Sequence, residues 1–108
     1  MTHSPEAIAA ALNASRAHWR KNLAAETPDE ASVRGKDCAL CGLFWRPVFC
    51  VGCPVYGRTG QRICGGTPYD AARYALIEWS DNPTSPEAKA AWRVAAVQMC
   101  EFLEGLEP

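Results

Sequence analysis

Charge of one sign is what this chain most lacks. Eleven Lys and Arg face twelve Asp and Glu, leaving a formal net charge of −1 over 108 residues. A near-neutral chain has no global field that would draw it to nucleic acid or to an acidic membrane surface. Long apolar runs are missing too, and no stretch approaches the roughly 20 residues that span a bilayer. The opening MTHSPEAIAAALNASRAHWR interleaves its alanines with polar residues and has no basic lead, so no secretory signal is expected. Histidine is scarce, at two residues. No histidine or acidic pair stands at metal-site spacing. No G-x-S-x-G turn occurs, and TGQRICGGTPY lacks the lysine and spacing of a phosphate-cradling loop. Repeats and low-complexity tracts are also absent, and the sequence gives little support to enzyme chemistry, which ranks third among the expected roles. A single small domain with a non-enzymatic role is expected.

Cysteine is what the chain does have. Five of its six cysteines fall between residues 38 and 64: Cys38 and Cys41 form one C-x-x-C pair, Cys50 and Cys53 a second, and Cys64 follows. Without a secretory signal the expected compartment is a reducing cytoplasm, where clustered thiols bind metal more often than they form disulfides. C-x-x-C turns the backbone so that both sulfurs face one centre. Two pairs supply four soft ligands, which suits tetrahedral Zn2+ at about 2.3 Å per bond. Gly42 follows one pair and Gly52 sits inside the other, easing the tight turns.

Zinc takes four ligands, so one of Cys38, Cys41, Cys50, Cys53 and Cys64 is surplus. The two C-x-x-C pairs form one complete set, leaving Cys64 free. Cys38, Cys41, Cys53 and Cys64 form another, leaving Cys50 over. Spacing favours the first set. A [4Fe-4S] cluster is the chemical rival, since Cys53 is followed by Pro54 as the last ligand of ferredoxin runs is, although the tight spacing of those runs is absent. Disulfides are a further alternative. A thioredoxin-like redox pair is the weakest, because no βαβ context surrounds either pair. Cys100 stands apart, at a helical step from Trp92 and Leu103, and is expected to be a small core hydrophobe.

The rest of the chain reads as helix. Ser4-Pro5-Glu6, Thr67-Pro68-Tyr69-Asp70 and Ser85-Pro86-Glu87 each set a hydroxyl before proline, with a carboxylate close behind. The hydroxyl can accept from orphan N–H groups, proline's φ suits the first helical position, and the carboxylate meets the positive end of the helix dipole. Helices are expected over 5–25, 68–80 and 86–104. Their inward residues are Ile8, Leu12, Ser15, Trp19 and Leu23; Ala72, Leu76 and Trp79; and Trp92, Ala95, Met99, Phe102 and Leu103. Gly105 is the expected stop of the last. Residues 26–37 read as a linker with one short helical turn after Pro28. Residues 38–66 hold six of the eight glycines and no usable period, so something other than burial must tie them down. The expected fold is mainly α: a small three-helix domain packed through Trp19, Trp79 and Trp92, with an irregular, metal-tied cysteine-rich loop inserted between helices 1 and 2.

Two further features bear on partners. Residues 34–66 carry a formal +4, from Arg34, Lys36, Arg46, Arg58 and Arg62 against Asp37. Phe44, Trp45, Phe49 and Tyr56 lie among them, a mixture that suits nucleic acid. Four zinc-bound thiolates would leave that site near about −2, cancelling half of the field. A protein-binding surface built on Trp45, Arg46, Arg58 and Arg62 is therefore the better expectation, with nucleic acid second. His18, beside Trp19, is expected as a partly exposed helix residue.

The motifs also carry a likeness. His18-Trp19 late in the first helix, then CALC-x-x-F from Cys38, C-x-G-C-P-V from Cys50, Thr59-Gly60 and C-x-G-T-P-Y from Cys64 resemble a group of small cysteine-rich proteins of tailed phages and prophages. The similarity runs from about Ser15 to Tyr69, with EFLEGLEP also similar at the C-terminal end. It implies that all five clustered cysteines belong to one pattern, which raises the set containing Cys64. It also implies a phage context, in which the expected role is that of an accessory protein acting on a host partner in the host cytoplasm. It supplies no activity.

Overall fold

The computed structural model describes residues 4–33 and 67–106, together with Leu40 and Pro54. Among the described residues there are three α-helices and no strand. Helix α1 spans Pro5–Leu23, α2 spans Tyr69–Asp81 and α3 spans Pro86–Glu104, and Pro28–Glu30 form a single 3-10 turn. No helix of the described residues is long and apolar enough to cross a membrane.

The hydroxyl–proline starts behave in two ways. Ser4 Oγ accepts from Ala7 N and Ser85 Oγ from Ala88 N, each at 3.1 Å, so both helices open on a hydroxyl cap with proline in the first turn. The middle start differs. Thr67 Oγ1 accepts from Tyr69 N at 3.1 Å, a bond two residues ahead rather than three. Pro68 becomes the N-cap without a side-chain cap bond, and the helix starts one residue late, at Tyr69. Helix α1 ends at Leu23 instead of residue 25 because its last turn tightens: Ala25 N donates to Asn22 O at 3.2 Å, a three-residue bond. The short turn after Pro28 folds back on itself, with Glu30 Oε1 accepting from Glu26 N at 2.8 Å and Thr27 N at 3.0 Å. Those two N–H groups hold the Glu30 carboxyl below its ordinary pKa.

Helix α3 is the element the other two share, and both α1 and α2 pack along it. Ala88, Trp92, Ala95, Ala96, Met99 and Leu103 recur at helical steps and are all buried. They meet Ala11, Leu12 and Trp19 of α1 and Ala72 and Trp79 of α2, while Ile8, Leu23, Leu76 and Phe102 pack at the margin. Trp92 lies between two other indoles. Its ring is 5.9 Å from Trp19 at 31° and 6.4 Å from Trp79 at 26°, centroid to centroid. Such offset pairs contribute about 0.5–1.5 kcal/mol each beyond the area they bury. Trp92 Nε1 donates to Asn22 O at 3.1 Å. Trp79 Nε1 and Ser15 Oγ, both buried, have no hydrogen-bond partner among the described residues.

Polar groups at the rim fix the direction of α1 on α3. Arg16 Nε donates to Leu103 O at 2.9 Å and its Nη2 to Leu106 O at 2.6 Å, so a guanidinium from α1 occupies the negative end of α3. Arg20 pairs with Glu104 beside it. At the opposite end Glu26 takes Lys89 Nζ at 2.7 Å and Arg93 Nη2 at 3.2 Å. The Lys89 hydrogen bond, then the two cationic charges, holds the Glu26 carboxyl below its usual value. The two helices therefore run antiparallel.

Candidate functional site

The sulfurs Cys38, Cys41, Cys50, Cys53 and Cys64 lie outside the described residues, as do Trp45, Arg46, Arg58 and Arg62. What is described is the frame into which their segment is set, at three places.

The first is the exit from the 3-10 turn. Asn22 is on the inner face of α1, three residues after Trp19, and is 1% exposed. Its amide treats Ser32 as one strand treats another: Ser32 N donates to Asn22 Oδ1 at 3.0 Å, and Asn22 Nδ2 donates to Ser32 O at 2.8 Å. A buried amide is tolerated there because both of its ends are met by backbone. His18 Nε2 also lies 2.8 Å from Ser32 O. A carbonyl only accepts, so the imidazole carries its proton on Nε2, and both lone pairs of that oxygen are used. The 3.4 Å approach of Asn22 Nδ2 to His18 Nε2 is then two donors converging on one carbonyl.

The second place is the return into α2. Tyr69 Oη donates to Val33 O at 2.5 Å. Val33 is the last described residue before the segment and Tyr69 opens α2 after it, so the two flanks of the segment meet in one hydrogen bond.

The third is Leu40, which in sequence stands between Cys38 and Cys41. It is 2% exposed and belongs to the same core as the tryptophans. Pro54, directly after Cys53, is half-buried.

Among the described residues no three His, Cys, Asp or Glu side chains come together as a metal site. Cys100 is half-buried and unbridged, packed against the core near Arg20. Burial raises its thiol pKa, with the Arg20 charge opposing. A thiol kept protonated is a poor nucleophile and a poor ligand, which matches a packing role. His18 is half-buried on α1, as expected, but its bond to Ser32 gives it a structural task that the helical period does not reveal. Asn22 escaped the sequence reading, although a polar residue on the stripe that contains Trp19 was the available signal. Tyr69 stood in view within Thr67-Pro68-Tyr69 as part of a helix start, and nothing local tells that its hydroxyl reaches back 36 residues. No family model, curated protein or solved structure matches the chain.

Proposed function

We propose that this protein is a small, non-enzymatic metal-binding protein in which four of Cys38, Cys41, Cys50, Cys53 and Cys64 hold one structural Zn2+. The ion fixes a surface bearing Trp45, Arg46, Arg58 and Arg62 for a partner protein. The likeness to phage and prophage proteins makes that partner a component of the host cytoplasm. The observation that carries this reading is the spacing of the clustered cysteines, two C-x-x-C pairs followed by Cys64, with Leu40, inside the first pair, buried at 2% exposure. Leu40 is itself a member of the hydrophobic core, and its sequence neighbourhood is rich in glycine and has no helical or strand period. A four-thiolate site is closed, with no open coordination position for a substrate. This is why the reading is a scaffold and not a catalyst.

Metal analysis of protein purified without oxygen tests it directly. The expected result is a colourless protein with about one zinc per chain. A brown protein with iron and sulfide would instead support a [4Fe-4S] regulator, and protein free of both metals would end the metal reading. Nucleic-acid binding is tested by titrating salt. Affinity carried by Arg and Lys on phosphates falls steeply as salt rises, and no such binding is expected here.

A further inference from the structure

We infer that Asn22, His18 and Tyr69 are positioning residues that join the two ends of segment 34–66 to the bundle before any ion binds. The functional consequence rests on the metal reading above; the placement of the three residues does not. Asn22 takes both backbone groups of Ser32, His18 adds a second donor to the Ser32 carbonyl, and Tyr69 takes the carbonyl of the next residue, Val33. All acceptors and donors on the chain side are backbone, so the latch holds the path of the chain whatever side chains stand at 32 and 33. Its bundle side is anchored in the core. Asn22 offers its own carbonyl to Trp92 Nε1 at 3.1 Å, and His18 stands edge-on to Trp19 with centroids 6.3 Å apart.

The thermodynamic effect is that of a closed loop. Bringing the ends of a flexible stretch together carries an entropy cost that an ion would otherwise have to offset. Here side chains of α1 and α2 make that closure, so the ion orders only the interior of the segment. The latch therefore sets metal affinity without touching the metal.

The test uses the full chain as wild type, Asn22→Ala and Tyr69→Phe, each with zinc and after removal of zinc by EDTA. Hydrogen exchange is read at the Ser32 amide, and zinc affinity by competition with a chromophoric chelator. In the wild type the Ser32 amide should stay protected when zinc is removed. Asn22→Ala should speed its exchange roughly tenfold or more, and Tyr69→Phe should weaken zinc binding roughly tenfold, the scale of one lost hydrogen bond. Far-ultraviolet helix signal and α3 amide protection should not change in Tyr69→Phe, which separates positioning from a general loss of structure. Loss of Ser32 protection in the wild type on zinc removal would overturn the inference, because the ion would then be ordering the base. Wild-type zinc affinity in Tyr69→Phe would overturn it as well. If Asn22→Ala does not fold, the Tyr69→Phe result decides. If the protein takes up no zinc, the metal reading fails, and the Ser32 exchange of wild type against Asn22→Ala still decides the latch.

Discussion

Residues 67–106 and residues 34–66 divide the second half of this chain's problem between them, and they meet it with opposite compositions. The C-terminal stretch repeats apolar residues at helical steps, opens α3 with a hydroxyl cap and centres a ring stack on Trp92, which is fully buried. Its order follows from burial. The central stretch holds seven of the eight glycines and five of the six cysteines. Among the described residues it contributes only Leu40 to the core. The difference teaches that the described contacts of the two regions with one hydrophobic core are unequal: the helices build it, Leu40 of the cysteine segment joins it, and Ser32 and Val33, just before the segment, are held by hydrogen bonds. A stretch without a helical or strand period in its sequence needs another source of internal order, and the proposed ion is that source.

The comparison breaks most visibly at Cys41. Cys41→Ser removes a ligand common to both candidate sets, and structural zinc contributes on the order of 10–16 kcal/mol of apparent binding free energy in small peptides. Zinc content should fall well below one per chain, with amide protection lost across the segment while the helices of the bundle persist. Cys100→Ser, the control at a half-buried packing position, should keep its zinc and lose about 1 kcal/mol of stability. Equal behaviour of the two variants, read by metal analysis and urea unfolding, would remove the distinction between the regions.

Trp92→Ala attacks the other side. It removes the middle ring of the stack and its bond to Asn22, and burial of this kind is lost at about 3–5 kcal/mol for an aromatic-to-alanine change. Against a typical total of about 5–15 kcal/mol, that should leave the bundle marginal by circular dichroism in urea. A fully helical Trp92→Ala variant that melts only on zinc removal would show the ion, not the core, to be the main support.

The two regions also differ in how far their sequences could be read. The helices were legible because period and caps are local. Ser85-Pro86-Glu87 sets the start of α3 at Pro86, and the indoles expected to pack together do so. The start of α2 slipped by one residue because Thr67 bonds Tyr69 N in place of a deeper turn. The frame around the candidate site was not legible, because its bonds are long-range and run from side chain to backbone. Nothing near Arg16 announces that it will take the carbonyls of Leu103 and Leu106, and nothing near Tyr69 points to Val33. The pattern of five clustered cysteines, from which metal binding is proposed, was plain from spacing alone. The choice among its five sulfurs turns on the relative placement of residues 38–64, which lie outside the described residues apart from Leu40 and Pro54.

Smaller changes sharpen the claim that burial governs the helical region. Ser15 was expected on the inner stripe of α1 and is there, 4% exposed, with a hydroxyl that meets no partner among the described residues. Removing a buried, unpaired hydroxyl relieves its desolvation, and alanine is the better helix former. Ser15→Ala should therefore raise stability by about 1 kcal/mol in urea unfolding. A loss of similar size would mean that the hydroxyl has a partner within the cysteine segment, and so would join the two regions at a fourth place.

Gly105 is the mildest test. As the expected stop of α3 it does cap the helix, but at φ −81 and ψ −6, a right-handed conformation open to any residue. A Cβ there would stand 3.6 Å from Phe102 O and 3.7 Å from Glu101 O, ordinary contact distances. Glycine is thus not needed for its left-handed freedom, and its extra entropy in the unfolded chain is a pure loss. Gly105→Ala should stabilise the protein by about 0.4–1 kcal/mol, with the Arg16 bonds to Leu103 and Leu106 intact. Destabilisation instead would mean that the end of α3 must rearrange in solution, and that Arg16 rather than the helix's own turn defines where it stops.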